Sequence, residues 1–83
     1  MTTGQIQKFF SSEAKSNSLI RVSFKNRNLI VGIFIQTPDF DDLRSKNFWR
    51  IVSEVNFKQW EQSKDYNLVR MYSGAEFTKL AIA

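Results

Sequence analysis

The chain has 83 residues, of which 42% are hydrophobic, and a formal net charge of +4. This length allows a single domain over residues 1–83, near the lower limit at which one hydrophobic core suffices. The absence of cysteine and histidine excludes disulfides, cysteine nucleophiles and a histidine general base. We therefore expect a non-enzymatic domain without cofactor or metal, stabilised by its core or by self-association.

The basic excess favours approach to a polyanion, since twelve Lys and Arg residues oppose eight Asp and Glu residues. The basic residues are spread along the chain, which is also typical of a surface charged for solubility. The N-terminal residues do not follow a secretory signal pattern, and no apolar run approaches the roughly 20 residues of a membrane span. We expect a cytoplasmic location and no membrane partner.

The first predicted element is a helix over about residues 4–15. Thr2 and Gln5 have the spacing of a capping box, in which each side chain accepts a hydrogen bond from the other residue's backbone N–H. Ile6, Phe9 and Phe10 follow at helical spacing and form a narrow apolar stripe. This pattern predicts a helix lying against a sheet, with the two phenylalanines closing one end of the core.

Two strands follow, at about residues 19–25 and 29–36, and are predicted to form a hairpin. The first alternates apolar and polar residues, which indicates one buried and one solvated face. The second is apolar over residues 29–35 except at Gly32, which is typical of a strand covered on both faces and bent at the glycine. The polar segment Lys25–Asn28 between them predicts the turn.

The segment Gln36–Asn47 contains the only proline and is predicted to be a long exposed loop. Its aspartates, Asp39, Asp41 and Asp42, are the chain's only clustered acids. They lack the regular ligand spacing, central glycine and closing glutamate of a calcium-binding loop. We therefore expect turn-forming or capping roles for them, and an enzyme acting through this loop is a distant alternative.

Three further strands are predicted at about residues 48–55, 66–72 and 76–82. The last two are joined by a tight turn in which Gly74 is expected to supply a positive φ. Residues 56–65 carry both strand and helical spacing, so the pattern allows either an extended or a one-turn helical connection. The predicted fold is mainly β: one N-terminal helix and five bent antiparallel strands in a small barrel.

Two segments carry a family resemblance. Asn28–Phe34, followed by Asp39 or Asp41, is similar to the first motif of the Sm, Lsm and Hfq proteins. Tyr72–Gly74, followed by Glu76–Leu80, is similar to their second motif. The resemblance implies an Sm-like, or more broadly SH3-like, barrel.

The chain departs from that family at its nucleotide pocket. The first family glycine is Asn28, the arginine of the second motif is Ser73, and the base-contacting methionine and asparagine have no counterpart in Phe40–Leu43. The resemblance therefore does not carry over the usual RNA pocket, whereas it does carry over strand edges that can join into a ring.

These patterns favour a small β-barrel module for protein interaction or self-assembly through its strand edges. The alternative is binding of RNA or other single-stranded nucleic acid, because bases stack on aromatic rings while cations neutralise phosphates. Four basic residues are candidates for one shared exposed face: Arg21, Lys25, Arg27 and Arg50. The candidate stacking platform is Trp49, with Trp60, Tyr66 and Tyr72 as further possibilities.

Overall fold

The computed structural model of the chain describes residues 1–12 and 18–83. These residues form three α-helices and one five-stranded antiparallel sheet. In chain order the elements are α1 (Thr3–Ser12), β1 (Ile20–Phe24), β2 (Ile30–Phe34), α2 (Phe40–Ser45), β3 (Phe48–Ser53), α3 (Glu54–Ser63), β4 (Val69–Ser73) and β5 (Phe77–Ile82). One 3₁₀ turn, Tyr66–Leu68, precedes β4, and a second, Gly74–Glu76, joins β4 to β5.

The N-terminal helix begins with the predicted capping box. The Thr2 N–H donates to Gln5 Oε1 at 2.9 Å, and the Gln5 N–H donates to Thr2 Oγ1 at 3.2 Å. Two backbone donors that lack helical partners are thereby satisfied. The predicted helix extended to about residue 15, but residues 13–15 lie outside the described part of the chain.

The sheet has the strand order β4-β3-β2-β1-β5. The β1–β2 hairpin is confirmed, with Ile20 opposite Gly32 and Val22 opposite Ile30. Gly32 is required by close packing, because a Cβ there would lie 2.5 Å from the backbone carbonyl oxygen of Val52 on β3. The prediction of five antiparallel strands is confirmed, but β4 and β5 do not pair, so the sheet is open and is not a closed barrel.

One face of the sheet carries the main core. Residues directly opposite each other in neighbouring strands project to the same face, and alternate residues project to opposite faces. The first face packs against α1, and its aromatic rings meet edge to face, as between Phe10 and Phe34 with centroids 4.7 Å apart. Phe9 is buried and Phe10 packs against the cluster, as predicted. The buried members are Ile6, Phe9, Ile20, Val22, Phe24, Trp49, Ile51, Phe77 and Leu80.

The opposite face is covered in part by α3, which the sequence did not predict. Predicted strand 48–55 ends at Ser53, and α3 begins at the next residue and contacts β2 and β3. Trp60 on α3 is buried, as are Ile33 and Val52 on this face of the sheet. The connection 56–65 is therefore mostly helical, longer than the single turn expected, because burying Trp60 against the sheet stabilises a full helix.

Three other local predictions are corrected. The predicted loop 36–47 contains α2, whose Phe40 ring lies 6.1 Å from Trp49. The strand predicted from residue 66 begins at Val69, after the first 3₁₀ turn. Gly74 does not have a positive φ; it is buried, and a Cβ there would lie 2.7 Å from Ile6 Cδ1.

No helix in the described ranges is both long enough and apolar enough to cross a membrane.

Candidate functional site

The two ends of the open sheet present unpaired strand edges. In an antiparallel ladder, successive residues direct their N–H and C=O groups alternately to one side and the other. The ladder between β3 and β4 continues to the Gly74 N–H, which donates to Asn47 O at 2.8 Å. Since the direction alternates along the strand, Tyr72 and Arg70, two and four residues before Gly74, also point their backbone groups towards β3. The outward groups on β4 are therefore those of Val69, Met71 and Ser73.

The backbone groups of β5 alternate in the same way. Ala83 N–H donates to Leu19 O at 3.0 Å, which continues the pairing of Arg21 with Ala81. The backbone groups of Leu80 and Ile82 therefore point away from β1. Both edges carry an exposed apolar side chain, since Met71 on β4 and Ile82 on β5 are each 48% exposed.

A cleft lies beside the tip of the β1–β2 hairpin and has a volume of about 250 Å³. The Arg27 guanidinium covers two rings that face this cleft, with its Cζ 5.4 Å from the Phe24 centroid and 5.5 Å from the Tyr72 centroid. The two rings are themselves 5.4 Å apart. We call this feature the hairpin-tip cleft; it is lined by Phe24, Asn26, Arg27, Met71, Tyr72, Ser73 and Glu76.

The structure separates the predicted basic residues. Arg27 lies over Phe24, whereas Arg21 alternates with Phe24 along β1 and is exposed on the opposite face of the sheet. Lys25 follows β1 directly and is exposed, and its N–H donates to Glu76 O at 3.0 Å. Arg21 and Arg27 therefore do not converge on one aromatic ring.

Arg50 is engaged within the chain. Its Nη1 donates to Thr37 Oγ1 and to Asp39 Oδ1, both at 2.7 Å, and its side chain is 25% exposed. The Thr37 hydroxyl also donates to Asp39 Oδ1. This hydrogen bond, together with the Arg50 charge, holds the pKa of Asp39 below its ordinary value of 3.8. Arg50 anchors the start of α2 and is a poor candidate for binding an external anion.

Trp49 lies in the core. It is 3% exposed, and its indole N–H donates to Asn47 Oδ1 at 2.9 Å. Trp60 is 6% exposed, and the ring of Tyr66 lies 5.5 Å from it. Neither tryptophan is available to stack on a base in this structure. Tyr72, in contrast, lies under the Arg27 guanidinium beside the hairpin-tip cleft.

Lys79 is a basic residue that the sequence reasoning missed. It lies opposite Ser23 on β5, diagonally next to Arg21, and both side chains are exposed. The ion pairs within the described residues are formed by Arg44, Lys46 and Arg50, so Arg21, Arg27 and Lys79 have none there. Strict alternation along β5 would place Lys79 on the same face as Phe77, two residues before it. The extra residue Thr78 instead puts Lys79 on the opposite face, next to Arg21, so its position depends on the pairing of β5 with β1.

The described residues provide no group of three or more acidic side chains placed to hold a metal ion. The three clustered aspartates serve α2 instead: Asp39 precedes its first residue, Asp41 pairs with Arg44 at 3.2 Å, and Asp42 pairs with Lys46 at 3.4 Å. Comparison of the chain with protein-family models, characterised proteins and solved structures found no match.

Proposed function

We propose that this chain is a non-enzymatic interaction module, of Sm-like or SH3-like type, that assembles with itself or with a protein partner through its strand edges. The observation that carries the proposal is the open sheet, in which β4 and β5 each have one edge without a partner strand. An exposed row of backbone N–H and C=O groups is a template for a further strand.

The two edges suit a head-to-tail contact between copies of the chain. β4 offers the outward backbone of Val69, Met71 and Ser73, and β5 offers that of Leu80 and Ile82. Pairing β4 of one copy with β5 of the next uses two different surfaces, so the contact repeats. Such a contact closes into a ring if the rotation between copies allows it, as the family resemblance implies.

Features of β5 restrict indiscriminate pairing. The register between β1 and β5 shifts between Ser23 and Phe24, which places Thr78 as an extra residue on β5. Lys79 adds a charge to the same strand. Irregularities and lysines on edge strands are common protection against aggregation. We therefore expect β5 to pair with a defined partner, and to do so along the part of its edge formed by Leu80 and Ile82.

The first test is the mass in solution, measured by sedimentation from micromolar to millimolar concentration. The wild-type chain is expected to exceed the monomer mass of 9.7 kDa as concentration rises. Met71→Lys places a charge beside the outward β4 backbone and is expected to weaken assembly. Val55→Lys is the matched control, because Val55 is 84% exposed and lies on α3, not on an edge strand. A strictly monomeric wild type, or equal assembly of Met71→Lys and wild type, contradicts the proposal.

A second candidate function is binding of single-stranded RNA or DNA. The observation that favours it is the Arg27 guanidinium over the Phe24 and Tyr72 rings, without an ion pair among the described residues. Lys25, two residues before Arg27 in the chain, is also exposed. Arg21 and Lys79 add positive charge on the other face of β1 and β5. Binding of a labelled oligonucleotide should weaken as salt rises, because neutralised phosphates release counterions. Absence of binding at low salt would exclude this function.

A further inference from the structure

The hairpin-tip cleft has the size of a site for a single planar group. Its volume of about 250 Å³ is below the roughly 300–1,000 Å³ of sites for drug-sized ligands. Its walls come from three separate parts of the chain: the β1–β2 turn, β4 and the second 3₁₀ turn. The site therefore exists only in the folded chain.

Arg27 gives this cleft a stacking surface. Its guanidinium carbon lies over the Phe24 and Tyr72 rings, and the residue as a whole is exposed, so part of the side chain remains accessible to a ligand. Contact with two rings restricts the guanidinium and reduces the entropy lost when a ligand binds. Planar arginine side chains stack on unpaired nucleobases, and their charge also attracts the attached phosphate.

The polar groups of the cleft match the edge of a base. Asn26 supplies an amide with donors and an acceptor, and the Glu76 carboxylate accepts hydrogen bonds. Ser73 Oγ accepts from the Ala75 N–H at 3.3 Å, which leaves its hydroxyl proton free to donate. Glu76 opposes an anionic group inside the cleft, so a phosphate is better placed outside it, beside Lys25.

We infer that the hairpin-tip cleft binds one base of a single-stranded nucleic acid, stacked on Arg27, with the neighbouring phosphate outside beside Lys25. This inference rests on the second proposed function, single-stranded nucleic acid binding, and assigns it a site. The site shares Arg27 and Tyr72 with the surface expected from the sequence, but it adds Ser73 and Glu76 and leaves out Trp49 and Arg50.

The test compares a labelled oligoadenylate with an abasic oligomer of the same length and phosphate number, at low salt. Stacking is worth about 1–3 kcal/mol per base, so the wild type should bind the oligoadenylate roughly fivefold to hundredfold more tightly. Arg27→Lys keeps the positive charge but removes the planar guanidinium. This variant should lose most of the preference for the oligoadenylate over the abasic oligomer, while its binding stays salt-dependent. Lys58→Ala, an exposed position on α3, is the control and should keep the preference.

Amide chemical shifts of the full chain locate the base. Adenosine monophosphate should perturb residues 24–27 and 71–76 in the wild type, and the spectrum of Arg27→Lys confirms that this variant is folded. Equal binding of both oligomers, an unchanged preference in Arg27→Lys, or shifts confined to other surfaces would overturn the site while leaving the nucleic-acid function in place. No binding of either oligomer at low salt would exclude the function and the site together. Shifts in the cleft caused by a peptide but not by the nucleotide would assign it to a protein partner.

Discussion

Replacing Gly74 with alanine should destabilise the fold by roughly 3–7 kcal/mol. The added Cβ would lie 2.7 Å from both Asn47 Cγ and Ile6 Cδ1, and Ile6 is fully buried. Asn47 cannot move freely, because its Nδ2 donates to Met1 O and its Oδ1 accepts from the Trp49 indole, both at 2.9 Å. Overpacking costs about 1–3 kcal/mol. An unpaired indole N–H adds about 1–3 kcal/mol, and the second lost hydrogen bond about 1 kcal/mol.

The assay is equilibrium unfolding in urea, with a double-mutant cycle to identify the cause. Asn47→Gly removes the obstructing side chain and suits the backbone, whose φ is 63° at this residue. Gly74→Ala should therefore cost much less in the Asn47→Gly background than in the wild type. Gly4→Ala is the control: the nearest atom to its Cβ is 3.9 Å away, so it should not destabilise the chain. A cost below about 1 kcal/mol for Gly74→Ala, or the same cost in both backgrounds, would refute the reasoning.

Two other predictions concern Asp39 and the tryptophans. Because the folded pKa of Asp39 is lowered from 3.8, its ionised form contributes stability above that pH, and this contribution is lost as pH falls through the folded pKa. The difference in unfolding free energy between wild type and Asp39→Asn should therefore shrink as the pH is lowered below about 4. A difference that stays constant with pH would argue against a lowered pKa of Asp39. Trp49 and Trp60 are 3% and 6% exposed, so iodide should quench their fluorescence weakly. Oligonucleotide binding should leave that fluorescence unchanged. Strong quenching by the oligonucleotide would show that a base stacks on a tryptophan.

The parts of the fold determined by short-range patterns could be predicted. The capping box of Thr2 and Gln5, the β1–β2 hairpin and the alternation along β1 depend on neighbouring residues and appear as expected. Helix α3 could not be assigned, because an apolar strand pattern runs directly into helical spacing around Trp60. The deciding contribution is burial of Trp60 on the second face of the sheet, which is a tertiary effect.

The candidate site was only partly predictable for the same reason. Arg27 at the hairpin tip was identified from the turn, but its position over Tyr72 depends on the approach of β4. The ion pair of Arg50 with Asp39 joins two elements and withdraws Arg50 from the exposed set. Gly74 was correctly marked as special, but for the wrong reason: it is required by the packing of Asn47 and Ile6, which are distant in sequence.

Assembly through strand edges can be followed by hydrogen exchange of single backbone amides as a function of protein concentration. In the monomer the Met71 and Leu80 amides point outward and should exchange fast, whereas those of Arg70 and Tyr72 are paired with β3. Edge pairing between copies predicts that protection of the Met71 and Leu80 amides rises with concentration, in parallel with the mass in solution. Fast exchange of both amides at every concentration, even where the mass rises, would contradict it.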